Sequence, residues 1–197
     1  MNRFKAALAI VCAGMTLAGT VGAQSFGQMG PLAGMGQKST LLGVYLGMGN
    51  GDVNPSAELR VSSGHRATMG LAASVEHSTF AAQADVRAGL TGTGGDFPLE
   101  LGGQLAGGLI TGGGATGIYA QVVPGLSFEW NVGEGRAFST WAGLGFRLTA
   151  SSRSVGDGSG IARLGTRYDI SPSVGLGASL EAVGGGSKLI AGADYTF

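Results

Sequence analysis

Ten segments of this sequence alternate between apolar and polar residues with a period of two, and this alternation limits what the chain can fold into. Successive side chains of a β-strand point to opposite faces, so each segment predicts a strand with one apolar face. In residues 189–197 the odd positions are apolar or aromatic, whereas Gly192, Asp194 and Thr196 stand at even positions. Glycine-rich and asparagine-containing turns separate the segments, which predicts an all-β chain of consecutive antiparallel strands.

The composition indicates that these strands cross a membrane. Charged residues make up 12% of the chain, about half the share found in soluble domains. Glycine accounts for 40 of 197 residues, without the three-residue period of collagen. Beyond the first 23 residues the sequence has no apolar run of helix-spanning length, so a membrane span must be built from β-strands.

The predicted fold is a single antiparallel up-and-down transmembrane β-barrel of ten strands. Eight strands are the second choice, because the third segment or its neighbour could instead be merged into a loop; the third segment contains Met69, Leu71, Ala73 and Val75. An even number of strands places the start of the first strand and the end of the last strand on the same side of the membrane.

The beginning of the chain has the features of an export signal. Arg3 and Lys5 precede an uncharged stretch over residues 6–19, and small residues follow at 21–23. The stretch is too short for a membrane-spanning helix and is typical of a signal peptide. We expect residues 1–23 to be the signal peptide, 24–38 an N-terminal periplasmic tail or plug, and 39–197 the barrel. Cleavage would remove Cys12, the one cysteine of the sequence.

The charged residues of the predicted strands fall on the face opposite the apolar one. An arginine or lysine facing lipid at the bilayer midplane costs about 2–4 kcal/mol, so we expect these residues to face the lumen. Side chains roughly fill the interior of so small a barrel, and paired charges are expected to close it. The predicted lumen charges are Glu58, Arg60, Glu76, Asp85, Arg87, Glu100, Glu129, Arg147, Arg163, Arg167, Asp169, Glu181 and Asp194.

The alternation alone does not decide which face points inward. A secreted soluble ligand-binding barrel would turn the charges outward and enclose an apolar cavity. Two observations favour the membrane orientation: the charged face is rich in glycine, and the aromatic residues gather at one predicted rim. Such a girdle is typical of a membrane interface, here the periplasmic one, and its predicted members are Phe97, Phe128, Trp130, Phe138, Tyr168, Tyr195 and Phe197.

The final strand, with Tyr195 and the terminal Phe197, resembles the C-terminal strand of bacterial outer-membrane β-barrels. The whole chain after the predicted signal peptide is similar to the small barrels of the OmpA/OmpX-like type, which commonly have eight strands. The resemblance implies a location in the outer membrane of a Gram-negative-type cell envelope. It also implies that Tyr195 and Phe197 form an assembly signal, and that the partners are the β-barrel assembly machinery and outer-membrane lipid.

Two functions from different classes follow. The first is a structural or narrow-pore, porin-like barrel with a charged, mostly filled lumen. The alternative is a barrel enzyme or a lipid-binding protein that acts on envelope lipids. We favour a non-enzymatic barrel, because Glu76, His77 and Ser78 are consecutive and cannot form a relay on one strand face. We expect no cofactor and no metal site, since His65 and His77 are isolated. Equal numbers of acidic and basic residues give no support for nucleic-acid binding.

Overall fold

The computed structural model describes residues 40–49, 51–63, 66–76, 78–90, 99–112, 114–133, 136–152 and 156–197. The predicted signal peptide, the segment 24–38, His65, His77 and Phe97 lie outside the described residues. Within the described part of the chain, no helix has the length and apolarity needed to cross a membrane.

Ten antiparallel strands form a closed barrel. Each strand pairs with its neighbours in sequence, and the first strand pairs with the last. The strands are β1 (Thr40–Gly49), β2 (Asp52–Ser62), β3 (Ala67–Glu76), β4 (Thr79–Gly89), β5 (Leu99–Gly112), β6 (Ala115–Gly133), β7 (Arg136–Ser151), β8 (Asp157–Ser171), β9 (Val174–Val183) and β10 (Gly186–Thr196).

The structure confirms the ten-strand prediction, and the eight-strand alternative is wrong. The segment in doubt is β3, which pairs with β2 over Thr68–Ser74 and with β4 over its full length. Its small and apolar residues fit a strand whose outward face is apolar. The barrel has no exposed sheet edge, because β1 and β10 are paired from Leu41 with Thr196 to Met48 with Leu189.

The strands differ in length around the barrel. β5 to β8 have 14 to 19 residues, whereas each of the other six has 10 or 11. Residues 131–135 are predicted as a turn, yet β6 continues to Gly133 and β7 begins at Arg136. The sequence also predicts a connection over residues 151–160. The connection in the structure is shorter, because β8 begins at Asp157. Backbone pairing therefore extends into segments whose glycine, serine and asparagine residues are typical of loops.

The two ends of the barrel are distinct. The lower mouth carries Thr40 and Phe197 together with the turns that follow the even-numbered strands. The upper mouth carries the five turns that follow the odd-numbered strands. A strand of ten residues, tilted as in other barrels, spans about 25 Å, which matches the apolar band of transmembrane barrels.

The outer surface is apolar along the length of the strands. Side chains such as Val44, Leu71, Leu105 and Ile118 point outward and are 61–64% exposed. On the same strands, the alternate side chains point into the lumen and are mostly buried. This arrangement excludes the soluble barrel, in which the apolar face would line a cavity. An apolar exterior around a polar interior fits a barrel surrounded by lipid.

Replacing Leu71 with arginine tests this orientation. Leu71 lies in the middle of β3 and points outward. We expect the variant to lower the free energy of unfolding in phospholipid vesicles by about 2–4 kcal/mol, because the charge would face hydrocarbon. Urea titration followed by tryptophan fluorescence measures the change. The Leu71→Met variant is the control and should change stability little; equal stability of both variants would contradict the lipid-facing position.

Candidate functional site: the barrel lumen

The thirteen predicted lumen charges lie on the inward-facing register of their strands. Eight of them are buried, with side chains that meet other lumen residues: Glu58, Arg60, Asp85, Arg87, Arg147, Arg163, Glu181 and Asp194. The other five are less buried or exposed and lie toward the mouths: Glu76, Glu100, Glu129, Arg167 and Asp169. The charges are therefore spread along the lumen and are not gathered in one pocket.

The sequence did not identify a buried charged residue of the lumen, Lys188. Lys188 faces inward on β10 and is 5% exposed. It stands at an even position, in register with Gly192 and Asp194, so the alternation of the strand could have identified it. Its position near a glycine-rich turn made it look like a solvent-exposed turn residue. Gln83, Gln104 and Gln121 also face the lumen and are buried; uncharged polar residues give a weaker signal.

Four charged residues of β2 and β4, here called the charge quartet, form the most tightly connected group. They are Glu58, Arg60, Asp85 and Arg87, and they are 1–5% exposed. Arg60 Nη2 donates hydrogen bonds to Asp85 Oδ1 at 2.7 Å and to Glu58 Oε1 at 2.5 Å. Arg87 Nη2 donates to Glu58 Oε1 at 3.1 Å. Two cations and two anions compensate each other, as buried charges require.

A chain of hydrogen bonds extends the quartet toward the upper mouth. Gln83 Nε2 donates to Asp85 Oδ2 at 3.3 Å, and Tyr119 Oη donates to Gln83 Oε1 at 2.9 Å. Arg147 Nη2 donates to Gln121 Oε1 at 2.8 Å and its guanidinium carbon lies 4.7 Å from the centre of the Tyr119 ring. This cation–π contact adds to the polar network that joins β4, β6 and β7.

The opposite wall has its own ion pairs, which cross from strand to strand. Arg167 binds both carboxylate oxygens of Asp194 on β10, at 2.7 and 3.0 Å, and also pairs with Asp169. Arg163 pairs with Glu181 and donates to Gln104 of β5. Because β6 and β7 lie between β5 and β8, this last contact reaches across the lumen.

Near the upper mouth, Lys188 of β10 donates to Glu76 Oε2 of β3. Strands β1 and β2 lie between the two residues in the barrel. The contact therefore also bridges the join between the first and last strands.

Glycines on the intervening strands make these contacts possible. A Cβ atom on Gly70 of β3 would lie 2.4 Å from Arg60 Nη2, and one on Gly175 of β9 would lie 2.4 Å from Arg167 Nη2. A Cβ atom on Gly108 of β5 would approach the Tyr119 ring to 2.6 Å. In each case a long side chain passes over a glycine of the adjacent strand and contacts a residue two strands away. The glycine-rich lumen face thus provides the room that long side chains need.

Apolar side chains fill the remaining cross-section. Tyr45, Trp141 and Ile190 form one buried cluster, and Val123, Ile161 and Val183 form another. Tyr45 and Trp141 are 2–3% exposed and each lies against a glycine of a neighbouring strand. Together with the ion pairs, these clusters leave the described side chains of the central lumen buried from water.

Six aromatic residues of the predicted girdle are described, and all six lie toward the lower mouth. Phe128 stacks on Trp130 with ring centres 5.8 Å apart, and Trp130 contacts Phe138 at 5.7 Å. Tyr195 and Phe197 meet edge to face at 5.0 Å. Tyr168 also points outward and is paired with Phe138 across β7 and β8.

The part of the chain that the structure describes contains no group of three or more histidine, cysteine, aspartate or glutamate residues placed to hold a metal ion. The lumen acids are paired with arginine or lysine, or lie apart on different strands near the lower mouth. The chemistry of the lumen is that of hydrogen bonding and charge compensation.

No protein-family model matches the chain, and no curated protein matches it in sequence. Solved structures with a similar fold include the outer-membrane protein Omp33 of Acinetobacter baumannii, with 11% identity, a TM-score of 0.41, and coverage of 85% of this chain and 100% of that one. The β domain of the Bordetella autotransporter BrkA gives 13% identity, a TM-score of 0.48, and coverage of 84% and 99%. At these identities the likeness is one of fold.

A loop-deletion variant of OmpT, an outer-membrane protein of Vibrio cholerae, gives 11% identity and a TM-score of 0.38 over 74% of this chain. The chain spans 54% of the length of that protein. The class of protein is defined by the structure itself: a closed barrel with an apolar exterior and buried, paired charges inside is a transmembrane β-barrel.

Substitution of Gly70 tests the role of glycine in the lumen. We expect Gly70→Ala to lower the free energy of unfolding by about 1–3 kcal/mol, because the new methyl group displaces Arg60 from its partners. The matched control is Gly160→Ala on β8, where a Cβ atom would meet nothing within 4 Å. That change should be neutral or stabilise the protein by up to about 1 kcal/mol. Equal effects in urea titrations would contradict the proposed packing.

Proposed function

We propose that this protein is an integral outer-membrane β-barrel with a structural role, whose charged lumen passes at most small ions or solutes. The observation that carries the proposal is the burial of the charge quartet, whose four side chains are 1–5% exposed inside an apolar barrel wall. Ion pairs and apolar clusters occupy the space that a general porin leaves open to water. The proposed role includes no catalytic step, in keeping with the sequence-based prediction.

The proposed location and partners follow from the outer surface. Its apolar side chains would contact outer-membrane lipid, and its aromatic rim at the lower mouth would lie at the periplasmic interface. This orientation places the start of β1 and the end of β10 at the periplasmic side. Small size and a filled lumen support a narrower relation to barrels of the OmpA/OmpX-like type, from which the ten strands set this chain apart.

We further propose that Tyr195 and Phe197 form the signal read by the β-barrel assembly machinery. Both are exposed, at 47% and 70%, and their rings contact each other at the end of β10. The Phe197 amide also donates a hydrogen bond to the Thr40 carbonyl at 2.8 Å. A substitution such as Phe197→Ala would remove the ring and keep this backbone hydrogen bond.

Removal of Phe197 should impair assembly in cells. The full-length protein should fractionate with outer membranes and migrate differently on gels with and without heating. We expect the variant without Phe197 to give less of the heat-modifiable form, and Phe197→Tyr to behave as the full-length protein. Undiminished insertion without Phe197 would contradict the assembly signal, whereas recovery of the full-length protein as a soluble periplasmic species would contradict the location.

Electrical recording in planar bilayers tests the closed lumen. We expect the unaltered protein to show no conductance steps, or only steps much smaller than those of an open porin. The double variant Arg60→Ala with Asp85→Ala should produce clear steps, because it removes two lumen side chains and leaves Glu58 paired with Arg87. The control is Leu59→Ala with Leu71→Ala on the outer face, which should remain silent. Large steps from the unaltered protein would instead indicate an open pore.

A further inference from the structure

The ion pair between Lys188 and Glu76 differs from the deeper pairs in its position. Glu76 is the last residue of β3 and Lys188 is the third residue of β10, so the contact lies at the upper mouth. The Glu76 side chain is 19% exposed, whereas that of Lys188 is 5% exposed. One partner thus meets solvent, and the other closes the lumen behind it.

The path of the lysine side chain is set by glycine. A Cβ atom on Gly49 would lie 2.7 Å from Lys188 Cγ, so the methylene chain passes directly over β1 at this glycine. From there it continues past β2 to reach β3. The side chain therefore lies across the upper end of β1 and β2, above the lumen residues of both strands.

Four polar residues, here called the polar column, follow one another beneath this contact. They are Asn54, Ser56 and Glu58 on β2 and Ser74 on β3, and each is 1–8% exposed. Ser74 stands two residues below Glu76 on the same face of β3, and it pairs with Ser56 across the strands. Glu58 belongs to the charge quartet, so the column leads from the upper mouth into the middle of the lumen.

Two buried atoms of the column lack a hydrogen-bond partner among the described residues: Ser74 Oγ and Glu58 Oε2. Buried polar atoms of this kind are normally satisfied by protein groups or by water. Both atoms belong to side chains that are 1% exposed. The column thus has the polarity to take up water or a small polar molecule, and the ion pair stands between it and the solvent.

We propose that the Lys188–Glu76 ion pair is a movable cap that controls the access of water and small polar molecules to the polar column. The Lys188–Glu76 pair differs from the other lumen ion pairs described above because its more exposed partner, Glu76, lies at the upper mouth. Opening it requires a rotation of two long side chains and no change in the strands. The ion pairs of the charge quartet, at the lower end of the column, stay formed when the cap opens.

Thiol labelling measures this access directly. In a Cys12→Ser background, Ser74→Cys places one thiol in the polar column and Ser127→Cys places one in the lower half of the lumen, where Ser127 is 4% exposed. A charged, membrane-impermeant methanethiosulfonate reagent is added to the refolded barrel in detergent micelles. We expect slow labelling at both sites while the cap is intact.

Breaking the cap should change one site and not the other. We expect Lys188→Met or Glu76→Gln to accelerate labelling of Ser74→Cys by about ten-fold or more, since local opening is then no longer opposed by the ion pair. Lys188→Arg, which keeps a cation at this position, should retain slow labelling. The rate at Ser127→Cys should stay unchanged, and heat-modifiable gel mobility should show that every variant is folded.

Two results would overturn the proposal. Equal labelling of Ser74→Cys with and without the cap, whether slow or fast, would show that the ion pair does not control access. Equal acceleration at Ser74→Cys and Ser127→Cys would show a general loosening of the barrel. These rates are measured in micelles, so they do not depend on the cellular location or on the conductance of the barrel.

Discussion

The hydrogen bonds between β1 and β10 are the constraint on which the rest of the structure depends. They run from Leu41 to Met48 on the first strand and close the sheet on itself. A transmembrane strand cannot leave its backbone groups unpaired in lipid, so the barrel can exist only when this last pair of strands is joined. Closure also gives every strand one face toward the lumen and one toward the surroundings. The apolar residues then lie outside and the polar residues meet in the crowded interior.

Crowding in the interior explains why so much glycine is compatible with a stable sheet. Glycine weakens a strand when considered alone, since it adds backbone entropy to the unfolded chain and buries no side chain. Here Gly70 and Gly175 each allow an arginine to reach a carboxylate two strands away. Displacing the arginine from such a contact is expected to cost about 1–3 kcal/mol, more than the roughly 0.5–1 kcal/mol by which one glycine weakens a strand. The contacts made over the glycines therefore outweigh their weak strand propensity.

The alternation of residues predicted the strands and which residues share a face, because both follow from local geometry. The glycine content of the charged face and the aromatic rim predicted that the charged face points inward. The alternation did not predict which charges meet. Arg163 contacts Gln104, and Lys188 contacts Glu76, across strands that are far apart in sequence. Such pairs depend on the stagger of the strands around the whole barrel, and no single segment contains that information. Strand ends were also predicted too short: Asn131 and Gly133 are residues typical of a turn, yet pairing with β7 keeps both in β6.

The unequal strand lengths give the barrel a direction within the membrane plane. On one side stand β5 to β8, with up to 19 residues, and on the other stand strands of 10 or 11. A bilayer that matches the shorter wall leaves the longer wall to project beyond it, unless the barrel axis leans or the lipid deforms. Lipids and neighbouring proteins then meet two different surfaces. A barrel whose sheet is closed is, to its surroundings, two-sided.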